Sequence, residues 1–145
     1  MKGLLLAVFL GALLLNGCAT KQQEQIKLTP EQTVLTVKES MLKMGITTEV
    51  SLKDVDQNQS EDIYVVYVPD KEPMTLLRRG QIFGSLTGVM KGLQPMLDWP
   101  ANTVFFKFPD GLFKSTVADC ASCVQKGMSN TEVSNCVGRV WVKVK

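Results

Sequence analysis

An apolar run covering residues 3–15 follows a single positive charge, Lys2, and ends just short of Cys18. A short basic start, an apolar stretch of about a dozen residues and a small residue before the cut describe a secretory signal. The run is too short for an ordinary membrane span, which takes roughly 20 apolar residues. This constrains folding more than any other feature of the chain. It removes residues 1–17 from the folded protein and leaves 128 residues to build it. That length suits one domain with its own core. It also sends the remaining cysteines to a compartment where disulfides persist.

The segment Leu15-Asn16-Gly17-Cys18 resembles the lipobox of bacterial lipoproteins. The resemblance implies a diacylglycerol on the Cys18 thiol, cleavage before Cys18 and acylation (palmitate or a similar chain) of the new amine. The residue after the cysteine is Ala19 rather than Asp. In Gram-negative lipoproteins this resembles the outer-membrane sorting pattern. The expected location is therefore the cell envelope, on the outer membrane facing the periplasm. The membrane is reached through the lipid on Cys18. Residues 18–28, polar and Gln-rich, read as a lipidated tether, and 29–145 as the globular domain.

With Lys2 removed, 15 Lys and Arg face 14 Asp and Glu, so the folded part is nearly neutral and no nucleic-acid partner is implied. The chain has no histidine. That excludes Ser-His-Asp and Cys-His catalysis and most zinc sites. No cofactor, metal ion or catalytic set is expected.

The domain opens with a helix from Thr29-Pro30-Glu31-Gln32, a capping box with Pro at the first helical position, ending at Gly45. Val34, Val37, Met41 and Met44 supply its apolar stripe. Alternation from Ile46 to Lys53 gives a strand with one wet face, and residues 63–68 a strand apolar on both faces and central in a sheet. A long helix is predicted over 71–97, capped by Asp70, with Pro73 in its first turn and Trp99-Pro100 as its stop. Residues 103–108 and 112–117 pair across the turn Pro109-Asp110-Gly111. Asp119 and Ser129 read as caps of two short helices, and Val140, Val142 and Val144 as a last strand. The order predicts α+β: a single small domain, a mainly antiparallel sheet and helices on one face.

Three features are candidates for function. Gly80, Gly84, Gly88 and Gly92 recur every fourth residue in the long helix, a spacing that resembles the glycine zipper of some small surface lipoproteins. Ile82, Leu86, Val89 and Leu93 form the opposing core stripe, which leaves the glycines beside Gln81, Thr87 and Lys91 on the polar side. Exposed helical glycines cost about 1 kcal/mol each against alanine. A closely approaching helix, from this chain or a partner, would offset that. Breakage of the helix near Gly88, or small residues admitting a loop, are the other readings.

The second feature is the cysteines. With Cys18 lipidated, Cys120, Cys123 and Cys136 remain. A helical hairpin turning near Met128 places 120 opposite 136, so Cys120–Cys136 is the expected disulfide and Cys123–Cys136 the alternative. A redox reading takes Cys120-Ala121-Ser122-Cys123 as a C-x-x-C motif. This resembles thioredoxin-like proteins over four residues, with too little chain after it for that fold.

The third is the loop after residue 53. Asp54, Asp56, Asn58, Ser60 and Asp62 alternate like a calcium loop, but Gln59 stands where glycine is needed and Val65 where a bidentate Glu should be. A solvated hairpin loop is expected. Trp141 is placed either on an outer sheet face or under a helix. Together these features predict a non-enzymatic envelope lipoprotein that binds or scaffolds an envelope protein partner or self-associates. A thiol–disulfide protein using Cys120 and Cys123 is the alternative.

Overall fold

The computed structural model describes residues 26–97 and 103–145. The signal, Cys18, most of the tether and the Trp99-Pro100 stop lie outside these residues. Among the described residues no helix is long and apolar enough to cross a membrane.

Helix α1 spans Pro30–Lys43. The Thr29 hydroxyl accepts from the Gln32 amide at 3.2 Å, and the Gln32 side chain accepts from the Thr29 amide at 2.9 Å. The capping box is thus formed in both directions. The helix stops where Gly45 adopts φ +75°, a left-handed conformation that side chains resist, and its amide bonds back to the Leu42 carbonyl. Thr33, Val37 and Met41 are its buried stripe, whereas Met44, at the C-cap, stays exposed.

Five strands follow in spatial order β1-β2-β3-β4-β5: Thr48–Lys53, Asp62–Tyr67, Thr103–Phe108, Gly111–Thr116 and Val142–Lys143. Three of the pairings are antiparallel, and β2–β3 is parallel. The expected α+β domain with a mainly antiparallel sheet is what forms. The parallel pair needs a crossover, and helix α2, Leu76–Leu93, supplies it. The register puts Thr48, Tyr67, Val65, Ile63, Val104, Phe106, Ser115 and Phe113 on one face, and all of these are buried. Val37, Met41, Ile82, Leu86, Met90 and Leu93 from α1 and α2 complete the core with them.

Two helix starts differ from expectation. Thr75, not Asp70, caps α2, its hydroxyl accepting from the Arg78 amide at 3.0 Å. Asp70 is already engaged: one carboxylate oxygen takes the Glu72 amide and the other the Arg78 guanidinium at 2.8 Å. Pro73 therefore precedes the helix. Similarly Thr116, not Asp119, caps α3, Val117–Ser122, and Asp119 sits in its first turn. Helix α4, Asn130–Val140, starts as expected, with a capping box between Ser129 and Glu132. It consumes Val140, so the last strand shrinks to Val142–Lys143.

At the chain's near end, Leu28 bridges to Leu97 and its amide bonds to the Met96 carbonyl at 2.8 Å. The part of the expected tether that is described thus joins the fold at Leu28, beyond the C-terminal end of α2.

Candidate functional site

The first half of α2 and the whole of α4 lie side by side along the same flank of the molecule. Between them runs a groove of about 660 Å³. Its floor is apolar: Phe83 from α2, Phe113 from β4, Val137 from α4 and Trp141 just beyond it, all buried. The walls are low because small residues line them, Gly80 and Gly84 on α2, Ser134 and Gly138 on α4. A Cβ placed on Gly80, Gly84 or Gly138 meets nothing within 4 Å. Leu76 and Leu77 form the rim, 89% and 74% exposed. Burying a leucine stabilises by about 1.5–3 kcal/mol, so two adjacent leucines left in water forgo a sizeable term.

The floor is fixed by ring packing. Phe83 touches four aromatic side chains, with ring centroids 5.1 Å from Phe113, 5.2 Å from Phe106, 5.6 Å from Trp141 and 5.7 Å from Phe108. Trp141 is locked by its indole N–H, which donates to the Thr87 hydroxyl at 2.9 Å; that hydroxyl donates to the Phe83 carbonyl at 2.8 Å. Both buried polar groups are thereby satisfied. Trp141 lies under α2, the second of its two expected placements. Thr87, expected on the polar side, is fully buried.

At the groove's edge the Arg79 guanidinium lies 5.0 Å from the Phe113 ring centroid and forms an ion pair with Asp110 at 2.7 Å. That contact holds the Asp110 carboxyl below the ordinary carboxylate range. The Lys143 ammonium also lies over this ring, 6.0 Å from its centroid.

The glycine stripe divides. Gly80 and Gly84 line the groove, whereas Gly88 and Gly92 are exposed and outside it. The helix does not break at Gly88, and no part of the described chain approaches any of the four. Replacing Gly88 and Gly92 together by alanine should stabilise the domain by about 1–2 kcal/mol, since each helical Gly→Ala change is worth roughly 0.5–1 kcal/mol where nothing obstructs the methyl. Urea unfolding of the double variant measures it.

The disulfide joins Cys123 to Cys136, with Cα atoms 5.4 Å apart, inside the range a disulfide spans. This corrects the expected Cys120–Cys136 pairing in favour of its alternative. The reason is the earlier start of α3: with Val117 as its first residue, Cys120 falls on the face turned into the core, and Cys123, at the helix C-cap, meets α4. Cys120 is fully buried, its thiol 3.5 Å from the Ser115 hydroxyl. Burial pushes its pKa up to about 11. The folded state thus disfavours the thiolate, and stability is lost as pH rises from the thiol's ordinary value of 9.0 toward 11. At pH 8 a thiol reagent should leave Cys120 unmodified in the folded protein and modify it in urea. Reaction at the same rate in both would refute its burial.

The loop between β1 and β2 brings the carboxylates of Asp54, Asp56 and Asp62 within 4.8 Å of one another. It closes on its own donors: Asp54 accepts from the Asn58 and Gln59 amides, and Asp62 from the Val55 amide at 2.9 Å. Gln59 takes φ +70°, the conformation for which calcium loops use glycine. Burial, and the charges of Asp56 and Asp54, raise the pKa of Asp62 against the lowering effect of the Val55 bond.

No known protein family, curated protein or solved structure matches the chain. The groove was missed by sequence reasoning, although Ser134-x3-Gly138 repeats the small-residue spacing of Gly80-x3-Gly84.

Proposed function

We propose that the chain is an envelope lipoprotein, anchored through acyl chains on Cys18, that acts without catalysis by binding another envelope component in the groove between α2 and α4. The location follows from the Leu15-Asn16-Gly17-Cys18 lipobox and Ala19: the outer membrane, facing the periplasm, in a Gram-negative cell. The groove carries the binding reading. It couples a rigid aromatic floor to two leucines exposed on the rim, the combination of concavity and exposed apolar surface that marks interaction sites. The absence of histidine and the satisfied state of the buried polar groups around Trp141 fit a binding surface better than a reaction centre.

The geometry lends no support to the thiol–disulfide alternative. Cys120 faces the core with a raised pKa, and Cys123 is bonded to Cys136 rather than to Cys120. An exchange-active thiol needs the opposite, an accessible group with a depressed pKa.

Two measurements test the reading separately. Metabolic labelling with palmitate should mark the wild-type chain and not Cys18→Ser, and the variant should leave the membrane fraction; persistent label on the variant would sink the anchor. Gly84→Leu should abolish co-purification of the bound envelope component while the chain stays folded and membrane-bound. Retention of the component would remove the groove as the contact surface.

A further inference from the structure

We infer that β1 is a dimerisation edge: two copies of this chain pair antiparallel through β1 about a two-fold axis at Ser51, which joins their sheets into one. The pairing uses none of the residues that line the groove.

The backbone of β1 is open on one side. β1 is the outer strand of the sheet, with β2 as its single neighbour in it. The Val68 amide donates to the Thr47 carbonyl at 3.0 Å, so the backbone at Thr47 faces β2. In an antiparallel ladder the direction alternates along the strand. Glu49, Ser51 and Lys53 therefore turn their N–H and C=O groups toward β2, and Thr48, Val50 and Leu52 turn theirs to the open edge. Such an edge is a template for another strand unless a bulge, a proline or a covering element blunts it. β1 keeps an unbroken register with β2 and contains no proline, and the nearest positive φ values, at Gly45 and Gln57, lie outside it. Helix α1 does not cover it. Glu49, Ser51 and Lys53 are exposed, and Val50 and Leu52 are half-buried, whereas Val65 and Ile63 opposite them on β2 are fully buried. The other edge of the sheet, β5, has two residues and offers far less.

The side chains select a second copy and fix its register. An axis at Ser51 puts Glu49 of each strand opposite Lys53 of the other, on either side of a small neutral residue. On the core face the same axis puts Val50 of each strand opposite Leu52 of the other. These are the residues whose backbone groups point outward, so each such pair exchanges both of its N–H···O bonds. An axis at Glu49 or at Lys53 would set like charges directly opposite, which is destabilising. An axis at Val50 or Leu52 would leave both charges opposite uncharged residues. Glu49 and Lys53 form no ion pair among the described residues. The Lys53 ammonium lies 3.5 Å from the Tyr64 ring centroid, on the exposed face. Asp62, opposite Lys53 on β2, is buried and accepts from the Val55 amide. Asp54, next along, is held in its own loop by the Asn58 and Gln59 amides. A strand of another protein would have to carry a base and an acid at the matching spacing, whereas a second copy supplies them by symmetry.

The test uses the full-length chain, purified in mild detergent, with Ser51→Cys. Residues opposed in a non-hydrogen-bonded pair have Cα atoms about 4.5 Å apart, within reach of a disulfide. Mild oxidation should give a disulfide-linked dimer at twice the monomer mass on a non-reducing gel. Yields are taken over that of the unsubstituted chain, whose free Cys120 is buried. Thr47 is also exposed but lies opposite Val55 in this register, so the two copies of position 47 stand roughly 27 Å apart at about 3.4 Å per residue. Thr47→Cys should therefore give a yield at least tenfold lower. In the Ser51→Cys chain, Glu49→Lys or Lys53→Glu should lower the yield roughly tenfold, because symmetry turns both charge pairs into repulsions at once. The two exchanges together should restore it. A Ser51→Cys chain that stays monomeric, equal yields from positions 47 and 51, or a double exchange that does not recover the yield would each overturn the inference.

Discussion

Phe83→Ala is expected to cost about 3–5 kcal/mol, the range for removing a buried aromatic ring. Phe83 is 7% exposed, and its ring is the hub of the aromatic cluster, within 5.1–5.7 Å of Phe113, Phe106, Trp141 and Phe108. Truncation leaves those four rings facing a void that the sheet on one side and α2 on the other cannot close. Edge-to-face pairs add ~0.5–1.5 kcal/mol beyond buried area, and three of the four contacts are of this kind. Net stabilities of domains run about 5–15 kcal/mol, so the variant should unfold at a much lower urea concentration, with an unchanged m-value if the native state is otherwise intact. Phe83→Leu fills most of the space and should cost about half as much or less. A loss below 1 kcal/mol for the alanine variant would mean that the ring does not pack as described. It would also remove the rigid floor on which the binding groove depends.

How much of this was legible in the sequence depends on whether the deciding contact is local. Thr29 with Gln32, and Ser129 with Glu132, satisfy each other within one helical turn, and both helix starts were readable. The alternation in β1 and the turn at Pro109-Asp110-Gly111 are equally local. Asp70 and Asp119 misled because a cap-type residue has other uses. Asp70 closes a turn on Glu72 and pairs with Arg78, and Thr75, five residues later, takes the cap. The face of α2 was set by contacts distant in sequence. Trp141 reaches Thr87 across 54 positions and draws it into the core. Phe83 and Met90 are buried with it, which widens the stripe of Ile82, Leu86, Val89 and Leu93 expected from periodicity, of which Ile82, Leu86 and Leu93 are fully buried and Val89 half-buried. The groove is invisible for the same reason: it exists only because Gly80 and Gly84 lie opposite Ser134 and Gly138, some 50 residues away.

Removing the disulfide should cost about 3 kcal/mol, and its loss should be felt first at the groove. Cys123 and Cys136 are 13 residues apart, and in the chain-entropy treatment a loop of about 15 residues is worth ~3 kcal/mol. For a domain of this size that is roughly a 10–15 °C fall in Tm. The clean variant is Cys123→Ser with Cys136→Ser, because a single replacement leaves a thiol in the same helical turn as Cys120 or opposite it. Helix α4 has 11 residues, below the ~12–15 at which isolated helices become even marginal in water. Beyond the disulfide it is held by Val137, by the half-buried Val133 and by Trp141 at its end. The sheet and α2 do not depend on it in that way, since Val37, Met41, Ile82, Leu86 and Met90 pack on the strands directly. Hydrogen exchange should therefore accelerate in α4 amides well before those of β2, β3 and α2. If exchange instead rises uniformly, α4 is part of the global unfolding unit. If stability is unchanged in reductant, the bond does not hold the helix at all. In the expected case the Cys123–Cys136 bond keeps one wall of the groove in place, and reductant should loosen α4 at temperatures where the core is still folded.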